Sequence, residues 1–333
     1  MKIALVGATG IVGETILRVL EERKVPVATL GAFASRDRKA AVRFNGALLD
    51  VFETTAQALD GYDAVFFASS EEASGTFAPR IVERGSVVID NSATFRLDPN
   101  IALLVPEVNA SALRKDQRIF PVANCTAIVL CVALAPVRDL AGLSALQVAT
   151  YQAVSGAGRA GIQELAAGEE AVVTGTQEPE PKTFAAPIAR NVIPQIGSIG
   201  ADGYTTEESK VRAETRKILG LSDLSMAVIA VRVPVRYAHS EAVFFETERV
   251  VSVQELNKAF ENAAGVAFHA EGIVTPRDVE GQDRVHVARL RAEDASGRRF
   301  SMWISGDQVR KGAATNGVQI LELLLARGLV HSS

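Results

Sequence analysis

Apolar residues follow two regimes along this chain of 333 residues. In the first third, short unbroken apolar runs alternate with helical spacing. Residues 3–6 read Ile-Ala-Leu-Val, as expected of a strand buried on both faces of a parallel sheet. Ile16, Leu17 and Leu20 then recur at helical intervals. The same reading predicts strands over 27–34, 63–68 and 86–90, with a helix over 71–84. Residues 119–122 read as a buried strand or its end, and the apolar run 127–137 as a helix. Beyond it the pattern changes. A strand over 146–153 is broken by Ser155-Gly156-Ala157-Gly158, and a helix over 161–174 follows. The stretch 177–187 is rich in proline and polar residues and reads as a loop. Thr205 and Glu208 have capping-box spacing and open a helix over 204–219. Residues 227–235 are strongly β-forming, 243–250 and 284–291 alternate like half-exposed strands, and 300–304 is another strand. An apolar-rich helix over 318–326 closes the pattern, with small residues at its start that allow close packing.

Composition narrows what such a chain can do. Nearly half the residues (48%) are hydrophobic, enough for the cores of two domains. The net charge is −4 with no long basic block, so nucleic acid is not an expected partner. No apolar run is long enough to span a bilayer, and Met1 to Gly7 enters a strand without the layout of a signal peptide. The two cysteines, Cys125 and Cys131, fall on different turns of one predicted helix and imply no disulfide framework. These features point to a cytoplasmic protein. No cluster of metal-ligand residues is present, and no metal is expected.

Two segments carry recognisable chemistry. Gly7-Ala8-Thr9-Gly10-Ile11-Val12-Gly13 has G-x-x-G-x-x-G spacing at the first strand–helix junction. Glycines there let the backbone approach a pyrophosphate, and the helix N-terminus faces its charge. The second strand then runs into Ser35-Arg36-Asp37-Arg38-Lys39, where an NAD site usually has a carboxylate for the ribose. Ser35 and Arg36 suit a 2′-phosphate, so NADP is the expected cofactor, with Asp37 opposing part of that preference. Cys125 lies at the predicted junction of the 119–122 strand and the 127–137 helix. A thiolate is favoured at a helix N-terminus, and the thiolate is the nucleophile. The other reading of a free cysteine is a small buried hydrophobe. Arg96 follows the 86–90 strand, where open parallel sheets place anionic ligands, or else it is a surface ion-pair partner. Glu207 and Lys210 share a helix face, the usual arrangement of a surface ion pair. His239 follows the β-forming run that contains Arg232.

Taken in order, these segments resemble aspartate-semialdehyde dehydrogenases over nearly the whole chain. The similarity covers Gly7 to Gly13, Asp90-Asn91-Ser92, Val105-Pro106-Glu107-Val108-Asn109, Asn124-Cys125-Thr126 and Thr150 to Gly158. It continues through Asn191-Val192-Ile193-Pro194, Glu207 to Lys210, Val231 to Val235, His239-Ser240 and Lys311 to Ala314. The resemblance implies an α/β chain with an N-terminal Rossmann-type parallel-sheet domain and an α+β catalytic and dimerisation domain with a mixed sheet. The expected domains are 1–125 with 312–333, and 126–311.

The resemblance also implies roles. Cys125 matches the acyl-thioester nucleophile, His239 the general acid/base and Gln152 the residue that orients the substrate. Arg232 matches the guanidinium that grips a carboxylate, Glu207 the partner of an amino group, and Arg96 and Lys210 the phosphate-binding cations. Thr9, Gly10, Ile11, Val12, Ser155, Gly156 and Gln308 match cofactor contacts. The implied reaction interconverts L-aspartyl 4-phosphate and L-aspartate 4-semialdehyde plus phosphate with NADP, in lysine, threonine and methionine biosynthesis. Backbone N–H groups at the helix start, assisted by Asn124, would stabilise the oxyanion. A homodimer or dimer of dimers is expected. One departure from the family pattern bears on the cofactor: Asp37 stands where an arginine is usual. The nearest alternative is reduction of N-acetyl-glutamyl phosphate, whose blocked amine needs no carboxylate such as Glu207. A non-catalytic NADP-binding paralogue is the other, and the presence of both Cys125 and His239 argues against it.

Overall fold

The computed structural model describes residues 1–35 and 40–330. The chain divides into two compact units, Met1–Ala123 with the segment from Ala313, and Asn124–Gly312.

In the first unit the strands are β1 (Lys2–Val6), β2 (Thr29–Ala34), β3 (Ala41–Phe44), β4 (Ala47–Glu53), β5 (Ala64–Phe67), β6 (Val87–Asp90) and β7 (Ile119–Pro121). Helices α1 (Ile11–Glu22), α2 (Glu71–Glu83) and α3 (Pro106–Asn109) connect them. The sheet order is β3-β4-β2-β1-β5-β6-β7. Every pairing is parallel except β3 with β4. Residues 3–6 and 64–67 are at most 2% exposed, which is why they read as unbroken apolar runs. The order reverses at β1, so its C-terminal end is the crevice where open α/β sheets bind ligands. The glycine segment occupies that end. The C-terminal helix, Asn316–Ala326, packs on α1, α3 and β6 within this unit.

The second unit contains α4 (Cys125–Ala141), β8 (Ala145–Gln152), α5 (Gly158–Thr174), α6 (Thr206–Leu219), β9 (Ser225–Arg232) and β10 (His239–Glu246). It continues with α7 (Val253–Glu261), β11 (Val266–His269), α8 (Pro276–Val279), β12 (Val285–Ala292) and β13 (Arg299–Gly306). Its mixed sheet has the order β11-β12-β13-β10-β8-β9. On one face lie His239, Glu241, Val243 and Phe245, all at most 3% exposed. The opposite face shows water Phe244 (44%) on β10, Ile229 (58%) on β9 and Tyr151 (38%) on β8. Among the described residues no helix is long and apolar enough to cross a membrane.

Several expected boundaries moved, each for a local reason. The strand expected over 227–235 ends at Arg232, because Pro234 has no N–H for a ladder. The strand expected over 243–250 is β10, which starts at His239 and stops at Glu246; buried Ser240 and Glu241 disguise its first half. The first four residues of β12 are all buried, so it does not alternate as expected, and it bulges near Arg289 at φ +58°. The helix expected to end at Val137 runs through Pro136 to Ala141. The hairpin of β3 and β4, helix α7 and strand β11 lie outside the elements that the apolar pattern predicts.

Candidate active site

Asn124 begins α4. Its side-chain Oδ1 accepts the backbone N–H groups of Thr126 (2.9 Å) and Ala127 (3.2 Å), which makes it the N-cap. Cys125 is therefore the first helical residue, half-buried at the positive end of a 17-residue helix. Its Sγ lies 3.5 Å from Nε2 of His239. Gly312 packs behind it, where an added Cβ would stand 2.9 Å from the Cβ of Cys125. Cys131, a turn and a half further along α4, is fully buried; both cysteines are free thiols.

Sheet register brings the remaining groups to the same end. His239 opens β10, while Gln152 and Arg232 close β8 and β9 as paired residues. His239 is 0% exposed, and Nδ1 accepts the backbone N–H of Ala153 at 3.0 Å. Burial, and then the charge of Arg232, hold its pKa well below the ordinary histidine value. The Arg232 guanidinium donates through Nη1 to the Ala153 carbonyl (2.7 Å), and its buried Nε has no protein partner. Burial lowers its pKa, opposed by the charges of Cys125 and Glu207. A buried guanidinium nitrogen without a protein partner calls for one from outside the protein, and a carboxylate or phosphate is the acceptor its geometry suits.

Glu207 is held by two carboxamides. Asn124 Nδ2 donates to both of its oxygens (3.0 and 3.1 Å), and Gln152 Nε2 donates to Oε1 (2.9 Å). Gln152 is oriented in turn by Thr150, whose hydroxyl donates to Gln152 Oε1 at 3.0 Å. The Asn124 carboxamide thus caps α4 and fixes Glu207. This differs from its expected role as an oxyanion donor, and two first-turn N–H groups expected to assist are held by its Oδ1. Glu207 faces these amides and has no ion pair with Lys210 among the described residues, so the surface-pair reading does not hold. Lys210 is half-buried on α6.

Sequence reasoning missed Glu214, 1% exposed, whose Oε2 accepts the Asn124 backbone N–H at 2.5 Å. The signal was present, since Glu207 and Glu214 are two turns apart on one face of α6.

Ser155 and Gln308 bond to each other: Gln308 Nε2 donates to the Ser155 hydroxyl, and Gln308 Oε1 accepts the Ala238 N–H at 2.9 Å. Gly156 is required by close approach. A Cβ there would lie 2.8 Å from Arg232 Nη1 and 3.4 Å from His239 Nε2. Gly156 thus packs against His239 and Arg232, and Gln308 holds the residue before His239.

In the first unit, Gly7 holds φ +85°, and a Cβ on it would stand 2.1 Å from the Ala68 carbonyl oxygen. A Cβ on Gly13 would lie 2.2 Å from the Gly7 carbonyl oxygen. Gly10 is the N-cap of α1 and supplies no side-chain cap, and Thr9 to Val12 are half-buried around it. Bare backbone at an uncapped helix start fits a pyrophosphate. Ser35 is exposed just past the end of β2, and Arg36 lies outside the described residues. Arg96 is 9% exposed and donates from Nη2 to the Asn91 carbonyl at 2.7 Å. No group of three or more metal-ligating side chains occurs among the described residues.

A dinucleotide crevice in one unit and a cysteine–histidine pair in the other define a cysteine-dependent dehydrogenase. Family comparison agrees: residues 2–116 match the semialdehyde dehydrogenase NAD binding domain, and 134–311 the semialdehyde dehydrogenase dimerisation domain. An aspartate-semialdehyde dehydrogenase of Aquifex aeolicus is 40% identical, with 99% of each chain covered. The crystal structure of aspartate semialdehyde dehydrogenase II from Vibrio cholerae superposes with a TM-score of 0.93 at 40% identity, covering 98% of both chains. A second structure of that enzyme, complexed with ASA, gives the same values. This chain belongs to the aspartate-semialdehyde dehydrogenase family.

Proposed function

We propose that the chain interconverts L-aspartyl 4-phosphate and L-aspartate 4-semialdehyde plus phosphate, with NADP, through a thioester on Cys125. The observation that carries this reading is the 3.5 Å approach of Cys125 Sγ, at the first position of α4, to His239 Nε2. Around that pair the side chains match one substrate end by end. The partner-free Nε edge of Arg232 suits the α-carboxylate and Glu207 suits the ammonium. Lys210 on α6 supplies a cation of the kind the phosphate needs, and the family resemblance gives Arg96 the same role.

The Cys125 sulfur attacks the acyl phosphate and phosphate leaves. NADPH, when bound, would supply the hydride for the thioester carbon. The tetrahedral oxyanion then re-forms a carbonyl and expels the sulfur. Gly7, Gly10 and Gly13, with Thr9, Ile11 and Val12, would hold the pyrophosphate. Ser35 and the basic residue after it would meet the 2′-phosphate, since β2 ends without a carboxylate. The second reading, reduction of an N-acylated substrate, is disfavoured by Glu207, a carboxylate oriented by two amides with no use for a blocked amine.

The exposed apolar face with Tyr151, Ile229 and Phe244 fits an interface between two copies of the chain, in keeping with the match to a dimerisation domain. Two free thiols suit the cytoplasm. The test is phosphate-dependent oxidation of aspartate semialdehyde with NADP and with NAD. Activity that needs phosphate and prefers NADP supports the reading, whereas oxidation indifferent to phosphate contradicts it.

A further inference from the structure

We propose that Glu214 is the positioning residue of the nucleophile: its carboxylate, bonded to the backbone N–H of Asn124, fixes where α4 begins and so holds Cys125 at a set distance from Glu207. The proposal rests on the thioester reading above and gives a task to a buried acid that touches none of the reacting groups.

Helix α4 opens with half of a capping box. The Asn124 side chain accepts the N–H of Ala127, the third helical residue, at 3.2 Å. In a complete box, a Glu or Gln at that third position reaches back to the N-cap N–H. Helices α6 and α7 are completed in this way by their own Glu208 and Glu255. Ala127 has no side chain that can do so. The missing carboxylate comes from another helix instead: Glu214 on α6, 1% exposed, accepts the Asn124 N–H through Oε2 at 2.5 Å. A carboxylate that deep is costly unless it is hydrogen-bonded.

The origin of this cap matters. A box closed within one helix ties the helix start only to itself. Here it ties the start of α4 to α6, the helix that also carries Glu207. Glu207 and Glu214 are two turns apart, about 10 Å along the axis. Glu207 holds the Asn124 carboxamide and Glu214 holds its backbone amide. The remaining polar atoms of Asn124 are taken as well: Oδ1 accepts from Thr126 and Ala127, and the carbonyl accepts the Ile128 N–H at 2.9 Å. Asn124 is thus gripped at two points of one helix, and Cys125 is the next residue. The gap between the attacking sulfur and the carboxylate assigned to the substrate ammonium is therefore set by α6.

Helix α6 has its own anchors. Glu208 Oε1 accepts the N–H of Ala230 on β9 at 2.9 Å, and Arg216 Nε donates to the Leu224 carbonyl at 3.0 Å. Arg138 Nη1 donates to the Leu219 carbonyl at 3.3 Å and ties the far end of α4 to α6. Losing the Glu214 bond therefore loosens the first turn of α4 and leaves the rest of both helices in place.

Charge does not account for Glu214. The charged and titratable groups around Cys125 are His239 from β10, Arg232 from β9, and Glu207 and Glu214 from α6. Arg232 and the positive end of α4 favour a thiolate, whereas a carboxylate bonded to the preceding residue opposes it. What Glu214 contributes is the bond.

Three variants of the full chain separate bond from charge. Glu214→Gln keeps an acceptor oxygen at the same reach and loses the charge. Glu214→Asp keeps the charge and stops one methylene short. Glu214→Met has neither. Two quantities are read: kcat and KM for aspartate semialdehyde with NADP and phosphate, and the pH dependence of alkylation by iodoacetamide. Cys131 is fully buried and burial pushes its thiol up, so the reagent reports Cys125. Glu214→Asp and Glu214→Met are expected to lose about 100-fold in kcat, the scale of a misplacement of about 1 Å, and Glu214→Gln less than about tenfold. KM should stay within about threefold throughout, because Gln152 still holds Glu207. The alkylation midpoint should rise in Glu214→Asp towards the ordinary thiol value of about 8.5, and lie at or below that of the parent in Glu214→Gln. A Glu214→Asp protein more active than Glu214→Gln, or equal losses in Glu214→Gln and Glu214→Met, overturns the proposal in favour of charge. Variants that lose only stability to urea, with kcat and midpoint unchanged, overturn it in favour of a merely structural role. Should Glu214→Asp fail to fold, the order of Glu214→Gln and Glu214→Met decides. Alkylation needs no substrate, so a chain inactive on aspartate semialdehyde would defeat the functional reading and leave the midpoints interpretable.

Discussion

The carboxamide oxygen of Gln308 accepts the backbone N–H of Ala238 at 2.9 Å, and Ala238 holds φ at +65° one residue before His239. A non-glycine residue in the left-handed region costs about 1–3 kcal/mol and persists only where its surroundings enforce it. Here the enforcing bond comes from the residue expected to touch the cofactor. Gln308→Met, of similar size but without the amide, is predicted to lower kcat about tenfold with little change in the KM for NADP. Adding Ala238→Gly, which relieves the strain, should recover part of that loss. Steady-state kinetics on both variants check this. A raised NADP KM with unchanged kcat would return Gln308 to the cofactor.

Glu207 is aimed by Asn124 and Gln152, and its partner in the substrate is the ammonium group. Glu207→Gln should lower kcat/KM for aspartate semialdehyde by about 10- to 150-fold, the range for one hydrogen bond to a charged group. Succinate semialdehyde has no ammonium, and its kcat/KM should change by less than about threefold. Comparing the two aldehydes on parent and variant checks the assignment. Equal losses on both would mean that Glu207 only organises the start of α4.

Glu241 is fully buried, flanked across the sheet by Thr150 and Ile304, and burial pushes its carboxyl well above the ordinary value of 4.5. The sign follows from linkage. An acid whose folded pKa exceeds its unfolded one contributes stability that is fully present below the unfolded pKa and is lost as pH rises towards the folded one. Glu241→Met keeps the volume and removes the penalty. In urea unfolding, the variant is predicted to gain on the parent between pH 5 and pH 8 and to have the higher midpoint at pH 8. His239 imposes the opposite trend below its ordinary value of 6.5, equally in both proteins, and cancels. A variant that loses ground as pH rises contradicts the assignment of Glu241 as a protonated acid.

Much of the fold was legible because its signals are local. Gly7 to Gly13 follow the unbroken apolar run of residues 3–6, and Asn124-Cys125 sits where one apolar run gives way to another. Other local signals were there to be read. Asn45-Gly46 is the two-residue turn of the β3–β4 hairpin, both residues at positive φ (+48° and +78°). Ser252 and Glu255 form the capping box that opens α7. What the sequence could not show depends on register. Cys125 and His239 are 114 residues apart, and they meet through the register of β10, which pairs with β8 from Ser240 to Glu246. Glu241 is a buried acid inside β10, so hydropathy starts that strand four residues late. The amides around Glu207 come from α4 and β8, and no spacing within α6 reveals them.

The 2′-phosphate preference turns on one position. Ser35 stands just past the end of β2. Ser35→Asp would place a carboxylate where the ribose hydroxyl can donate to it and the phosphate is repelled. The ratio of kcat/KM for NADP over NAD should fall by at least about tenfold and approach inversion, the scale expected from losing a charge-assisted hydrogen bond. An unchanged ratio would mean that this end of β2 does not read the 2′ position.

The covalent thioester on Cys125 is the centre of the account, and it can be weighed directly. With NADP and aspartate semialdehyde but no phosphate, oxidation should stop after about one turnover and leave the acyl group on the enzyme. Mass spectrometry of the digested protein should find an aspartyl adduct on the peptide, mapped to Cys125 and absent from Cys131. Added phosphate should clear it as turnover resumes. Stoichiometric NADPH with unmodified Cys125, or an adduct on Cys131 that phosphate leaves in place, would contradict the mechanism.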